Sequence, residues 1–160
     1  MLINRFPVPF RSRHPIAIAR INGSPEHALI NGIVRFYRSQ YGVFVVAQIS
    51  GLPVGNTCKA PVFGFHIHEG GSCSGNSDDP FADTKTHYNP EGCPHPYHAG
   101  DLPPLFGVNG YAYSAVLTNR FSIDEIIGKT IVVHSSPDDF TTQPSGNAGK
   151  KIACGVIMAN

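Results

Sequence analysis

The chain has 160 residues, a formal net charge of +1 and 14% charged residues, whereas an average domain has about 25%. A chain of this length can bury a sizeable core as one domain, and its 41% apolar residues exclude a disordered protein. The low charge gives no reason to expect nucleic acid or a membrane surface as a partner. No apolar run reaches the roughly 18 residues of a transmembrane helix. The 17 glycines and 14 prolines favour strands, turns and ordered loops over a helical bundle.

We expect a single domain over residues 1–160, with residues 1–13 as an N-terminal arm. The first twenty residues are interrupted by Pro7, Pro9 and Pro15, so they lack the continuous apolar segment of a signal peptide. This predicts a cytoplasmic protein. The 4 cysteines, which allow three full pairings, fit disulfides and an oxidising compartment instead.

Eight short segments predict β-strands, because each is rich in Val, Ile, Phe and Tyr and partly alternates apolar with polar residues. They are residues 16–21, 28–39, 42–52, 62–69, 105–108, 110–119, 130–135 and 152–159. Asn109 and Gly110 are typical of a hairpin turn, and one helical turn is expected at residues 123–127. The chain is therefore predicted to be all-β: a Greek-key antiparallel β-barrel or sandwich of about eight strands.

Two long polar segments interrupt this pattern, residues 70–104 and residues 135–150. A structureless segment as long as the first is unusual in a compact domain unless function holds it. Metal ligands could provide that hold, because most of the chain's histidines lie in or beside this segment.

His66 and His68 lie two residues apart on a predicted strand, so both rings point to one face and can reach one ion. His134, at the end of the seventh predicted strand, could join them. A lone histidine is usually a surface or core residue, and His14 and His27 are assigned no role. Imidazole-rich sites suit copper and zinc, and the stability order favours copper(II).

A second set of candidate ligands follows on the first long segment, namely His87, His95, His98 and Asp101. Three imidazoles and one carboxylate make a closed tetrahedral zinc set. The sequence therefore predicts two metal-binding sets close to each other.

The segments GFHIHEGGSC, HYNP, HAGDL, VVHSSPDD and GNAGKKIACGV resemble the metal-site motifs of copper/zinc superoxide dismutases. All five occur in the order found in that family, and the resemblance covers roughly residues 16–158. The segment PHPYHAGDLPPL resembles the proline-rich form found in bacterial members.

The resemblance implies copper ligands and zinc ligands that share one histidine. Copper would be bound by His66, His68, His87 and His134, and zinc by His87, His95, His98 and Asp101. Asp138 would hydrogen-bond one copper-binding and one zinc-binding histidine and so fix their orientation.

The resemblance also implies one disulfide, between Cys73 and Cys154. Cys58 and Cys93 are then left over. We expect them to form a second bridge, the alternative being two free thiols.

The implied activity is superoxide dismutation, in which copper carries the redox step, zinc positions His87, and His87 carries a proton. The family usually has an arginine three residues before the final-strand cysteine, where this chain has Lys151. Lysine keeps the positive charge that attracts an anion but lacks the planar two-pronged donor, so weaker anion capture is expected. Family members are monomers or dimers, so a homodimer is one of two expected states.

Two other functions compete with the enzyme. One is a non-enzymatic relative that binds or delivers copper or zinc, but such relatives generally lack a copper ligand, and all the ligand positions are filled here. The other is an interaction module whose metals only staple loops, which leaves His134 unexplained.

Overall fold

Alternating apolar and polar residues place one face of each strand inside a closed barrel. The computed structural model describes residues 14–56, 58 and 61–160, and the predicted arm, residues 1–13, lies outside them. The strands are β1 (Ala17–Gly23), β2 (Asn31–Ser39), β3 (Gly42–Ser50), β4 (Val62–His68), β5 (Asp101–Val108), β6 (Tyr111–Thr118), β7 (Thr130–His134) and β8 (Lys151–Ala159). A single helical turn, α1 (Ile123–Ile126), and two short 3-10 turns (Pro25–His27 and Ala82–Thr84) complete the elements.

The strands follow each other around the barrel in the order β1-β2-β3-β6-β5-β4-β7-β8, and all neighbours pair antiparallel. Because β3 pairs with β6 and β4 with β7, the chain crosses over as in a Greek key. The predicted all-β fold of about eight strands and the helical turn near residues 123–127 are confirmed. The described residues contain no helix with the length and hydropathy of a membrane span.

Strand β4 is buried on both of its faces, which is unusual in an antiparallel sheet. Phe65 and Ile67 point into the barrel core, so His66 and His68, which alternate with them, point outward. Two loops cover this outer face. The first loop is residues 69–100, between β4 and β5, and the second loop is residues 135–150, between β7 and β8. The barrel therefore supplies a rigid base on which loop residues can assemble a buried site.

Strand β5 begins at Asp101, earlier than the predicted residue 105, so the long segment predicted over residues 70–104 is shorter in the structure. Phe63 pairs with Leu105 and Phe65 with Leu102, so the two prolines between these partners lie opposite Gly64. Proline cannot donate a ladder hydrogen bond, so consecutive prolines are unfavourable within a paired strand. A β-bulge accommodates both prolines, and the pairing resumes beyond it.

A disulfide joins Cys73 of the first loop to Cys154 of β8, which confirms the bond implied by the resemblance. Cys154 is buried and packs with Phe81 and Val132 in a small apolar cluster outside the main core. The first loop is thereby fixed to the outside of the barrel.

Cys58 and Cys93 are both free thiols, so the predicted second disulfide is not formed. Each cysteine is held in its own local turn. The amide of Cys58 donates to Oδ1 of Asn56 at 3.2 Å, and the amide of Cys93 donates to Oδ1 of Asn89 at 3.0 Å. Cys58 precedes β4 and Cys93 lies within the first loop, so separate parts of the fold fix the two thiols.

Replacing the Cys73–Cys154 pair should destabilise the protein strongly. The cysteines are 81 residues apart, and in the chain-entropy model closing such a loop contributes about 4.5 kcal/mol. We expect Cys73→Ser combined with Cys154→Ala to lower the free energy of unfolding by about 2–5 kcal/mol, measured by urea denaturation of the metal-free protein. The matched control, Cys58→Ser with Cys93→Ser, should stay within about 1 kcal/mol of the native protein. Equal losses in both double variants would contradict this assignment.

Candidate metal centre

Seven buried side chains converge where the two loops cover β4 and β7, and they form two groups that share His87. The first group is His66, His68, His87 and His134, and the second group is His87, His95, His98 and Asp101. Within each group the potential ligand atoms all lie within 4.8 Å of one another. Each of the seven residues is at most 7% exposed. The structure thus brings together every ligand that the sequence analysis singled out.

Backbone pairing explains how His87, a loop residue, reaches the strand histidines. The first loop runs back beside the end of β4, where His68 and His87 form an isolated β-bridge. The amide of Glu69 donates to the carbonyl of Thr86 at 2.9 Å, and the amide of Tyr88 donates to the carbonyl of Ile67 at 2.8 Å. His87 is therefore held almost as firmly as a residue of the sheet.

In the first group, hydrogen bonds on the outward nitrogens fix the tautomers of His68 and His134. Nδ1 of His68 donates to the carbonyl of Lys85 at 3.0 Å, and Nδ1 of His134 donates to the carbonyl of Gly149 at 3.3 Å. A carbonyl only accepts, so both Nδ1 atoms carry the proton and both Nε2 atoms present lone pairs. These two Nε2 atoms face each other at 3.2 Å. Two facing lone pairs cannot form a hydrogen bond, but both can bind one cation.

The pKa shifts agree with neutral rings in the first group. Burial, followed by the neighbouring His66, lowers the pKa of His134 to about 3. Burial and then the neighbouring His134 hold the pKa of His68 well below its usual range. A histidine must be deprotonated to bind a metal, so at neutral pH these rings are ready to act as ligands.

Asp138 of the second loop connects the two groups. Its carboxylate accepts a hydrogen bond from Nε2 of His66 at 2.7 Å and another from Nε2 of His95 at 2.9 Å. Burial by itself raises the pKa of Asp138, but hydrogen bonds from His66, the Phe140 amide and His95 outweigh it and hold that pKa well below its usual range. The carboxylate therefore fixes the proton on Nε2 of both rings and leaves each Nδ1 as a lone pair.

Close backbone approach makes the Asp138 bridge sterically possible. Gly146, which has a φ of +68°, lies directly against it, and a Cβ there would be 2.6 Å from Nε2 of His95. Only glycine fits this position.

In the second group, the Asp101 carboxylate is the centre of the contacts. Its Oδ1 lies 2.7 Å from Nδ1 of His87, and its Oδ2 lies 3.0 Å from Nδ1 of His95 and 3.3 Å from Nδ1 of His98. Asp101 begins β5, where it pairs with His66 of β4, so this ligand stands on a strand and not in the loop where the sequence put it. Burial raises the pKa of Asp101, but the hydrogen bond from His87 and the charges of the histidines lower it overall. The carboxylate is ionised and available to a cation.

Three buried nitrogens in the two groups have no hydrogen-bond partner, namely Nδ1 of His66, Nε2 of His87 and Nδ1 of His95. Nδ1 of His95 lies near the Asp101 carboxylate, but a lone pair and an anion repel each other. Leaving such groups buried and unsatisfied costs about 1–3 kcal/mol each. One cation in each group would satisfy all three nitrogens. Four imidazoles suit copper(II), and three imidazoles with one carboxylate suit zinc, so the side chains fit both ions.

Comparisons with known proteins agree with this chemistry. The profile of a family described as copper/zinc superoxide dismutase matches residues 30–157. The chain belongs to the copper/zinc superoxide dismutase family.

Several bacterial relatives in this family cover most of the chain. Superoxide dismutase 2 (Cu-Zn) of Aquifex aeolicus is 33% identical over 141 residues, covering 79% of this chain and 78% of the relative. The Cu-Zn superoxide dismutase of Photobacterium leiognathi is 34% identical and covers 79% of this chain and 78% of the relative. The Cu-Zn superoxide dismutase of Deinococcus radiodurans is 32% identical and covers 81% of this chain and 78% of the relative. Copper and zinc are thus the metals that the family implies for the two groups.

In this member of the superoxide dismutase family, a cavity of about 370 Å³ opens onto the first group of ligands. His68, His87, His134 and Lys151 are among the residues that line it. It gives a small anion a route from solvent to the first group. Lys151, predicted to act on the anionic substrate, lines this cavity.

The Lys151 ammonium is already engaged, however. Its Nζ donates to Oδ2 of Asp79 at 2.7 Å and to the carbonyl of Phe81 at 3.1 Å. Burial raises the pKa of Asp79, but the hydrogen bond from Lys151, the hydrogen bond from the Phe81 amide and the Lys151 charge together lower it overall. The sequence analysis missed Asp79, because it lies in a polar stretch with no ligand spacing.

Proposed function

We propose that this protein disproportionates superoxide, converting two superoxide ions and two protons into one dioxygen and one hydrogen peroxide. Copper would occupy the first group and zinc the second. When bound, copper supplies the one-electron redox chemistry that the reaction needs, and zinc supplies a fixed positive charge. The observation that carries the proposal is the facing pair of Nε2 lone pairs in His68 and His134, beside the histidine that both groups share.

His87 is suited to move a proton. Its Nδ1 lies in the second group, 2.7 Å from Asp101, while its Nε2 is buried in the first group without a partner. When Nε2 is not engaged by copper it can take up a proton and give it to the anion that has been reduced to peroxide. Its position in the cavity wall allows that transfer directly.

The alternative, a protein that binds or delivers copper without turnover, is less well supported. All four nitrogens of the first group converge and are buried, and an open cavity reaches them. A delivery protein has no need of a shared histidine or a path for a small anion.

The test is to reconstitute the metal-free protein with copper and zinc and to measure superoxide decay and metal content on the same sample. We expect one copper and one zinc per chain, fast turnover that cyanide inhibits, loss of activity with a chelator, and recovery with copper but not with zinc alone. His134→Gln should reduce copper content and abolish most activity, whereas His27→Gln, outside both groups, should change neither. Full copper occupancy without turnover would favour the non-enzymatic alternative.

Lys151 and Asp79 should affect the rate in opposite directions. A unit charge acting through water over about 10 Å changes the energy of an anion by about 0.4 kcal/mol, a factor of about two in rate. Lys151→Gln leaves the Asp79 carboxylate uncompensated, so we expect the second-order rate constant to fall about twofold or more at low salt. Asp79→Asn releases the Lys151 ammonium and should raise the second-order rate constant by a similar factor.

Both effects should shrink in concentrated salt, because salt screens charges beyond about 3 Å at 1 M. The measurement is the superoxide decay rate at several salt concentrations with equal copper content in all proteins. If Asp79→Asn is as slow as Lys151→Gln, the ion pair supports the local structure and does not regulate anion capture.

We propose that an exposed apolar face on β5 and β6 joins two copies of the chain. Phe106, Val108, Tyr111, Tyr113 and Leu117 all point to solvent there, and Val108 and Tyr111 are cross-strand partners. Apolar patches of this kind on soluble proteins usually mark interfaces. A second copy offers the same patch, so a two-fold axis would bury it against itself.

Sedimentation equilibrium tests the dimer. We expect a native protein of twice the chain mass at micromolar concentration and a monomer for Tyr113→Lys. Leu29→Lys is the control, because Leu29 is also an exposed apolar residue but lies before β2 and not on β5 or β6. A native protein that stays monomeric would remove this proposal without affecting the enzymatic one.

The compartment stays a prediction. The Cys73–Cys154 disulfide supports an oxidising setting, since cytosolic thiols are kept reduced.

A further inference from the structure

Three members of the second group lie on one short segment, which runs from His95 in the first loop to Asp101 at the start of β5. This segment has no regular secondary structure before Asp101. Its ring nitrogens and carboxylate converge only while its backbone keeps one shape. Two side chains outside both groups hold that shape, and the sequence analysis identified neither of them.

The first is Arg120, in the connection between β6 and α1. Its Nη1 lies 3.0 Å from the carbonyl oxygen of Pro96, 3.4 Å from that of His98 and 3.3 Å from that of Asp101. Two of these carbonyls belong to members of the second group. The hydrogens of one guanidinium nitrogen are shared among three carbonyls, so a single group draws the segment into a tight turn.

The second is Gln143, in the second loop. Its Nε2 donates to the carbonyl of His95 at 2.7 Å, and its Oε1 accepts from the amide of His95 at 3.0 Å. Asp138, also in the second loop, accepts from the ring of His95. The second loop therefore binds His95 through its amide, its carbonyl and its ring.

We propose that Arg120 and Gln143 are positioning residues for zinc, which hold the His95–Asp101 segment in its binding conformation before the ion arrives. The inference rests on the proposed zinc site in the second group. Arg120 cannot be a ligand, because a guanidinium has donors and no lone pair to offer. Its effect passes through the backbone of His98 and Asp101. Outer-shell partners of metal ligands typically change affinity by about 10–100-fold.

The test titrates the metal-free full chain with zinc against a chromophoric chelator of known affinity. Arg120→Met keeps much of the side-chain length but removes the donors, and we expect the zinc Kd to rise at least about tenfold. Loss of a positive charge beside a cation site would by itself strengthen zinc binding, so weaker binding reports lost positioning. Arg120→Lys should recover most of the affinity, because one ammonium nitrogen can replace Nη1 as donor. Amide exchange of residues 95–101 in the metal-free protein should be faster in Arg120→Met.

Arg38→Met is the matched control. Arg38 lines the same surface cleft as Arg120, but its guanidinium pairs with Asp124. Equal zinc Kd values for Arg38→Met and Arg120→Met, with unchanged amide exchange, would overturn the inference. A native protein that binds no zinc would overturn the proposed function instead. If Arg120→Met does not fold, Gln143→Glu decides, since it keeps the shape but sets an oxygen against the His95 carbonyl and should weaken zinc binding.

Discussion

The candidate site depends on one buried carboxylate. Asp138 belongs to the second loop, His66 to the barrel and His95 to the first loop, and hydrogen bonds to Asp138 hold all three parts together. The same two bonds place the ring protons on the outward nitrogens. Without this carboxylate the loops would lose their common anchor, and the inward nitrogens of both rings could become protonated. Loop position and ligand tautomer thus have one physical cause.

The arrangement is unfavourable without metal. Buried lone pairs face each other or a carboxylate, and three buried nitrogens lack partners. A metal-free chain must stabilise this arrangement with the barrel core, the Cys73–Cys154 disulfide and the hydrogen bonds of the loops. Metal binding then removes the repulsion, so metal affinity and folding stability are linked. Proteins commonly hold such locally destabilised groups at functional sites because the rest of the fold fixes them.

Much of the fold and of the ligand set could be predicted from the sequence. The period-two spacing of His66 and His68 on a β-rich segment required one outward face, and the shared motifs supplied His87, His134 and Asp138. Other features depend on contacts between distant residues, which local patterns do not encode. The start of β5 was hidden by consecutive prolines, and only the bulge opposite Gly64 shows how a strand tolerates them.

Other predictions failed, or could not be made, for the same reason. Cys58 and Cys93 were predicted to pair because they were the two cysteines left over, but both are free thiols. Whether two cysteines pair depends on where the fold places each of them. Neither Asp79 nor Arg120 belongs to a recognisable motif. Asp79 contacts a partner 72 residues away in the sequence, and Arg120 contacts partners 19–24 residues away.

Closure of the barrel has a consequence for how copies of this chain can meet. Pairing of β1 with β8 leaves each of the eight described strands with a neighbour on both sides. The ladder between β5 and β6 is the short one, with only Gly107 paired with Ala112 and Val108 with Tyr111. Along the other, longer ladders no sheet edge is left to which another chain could add a strand, which is the usual start of edge-to-edge aggregation. Contact between copies at those strands must then use side chains on the outer faces, where a single substitution can create or remove it.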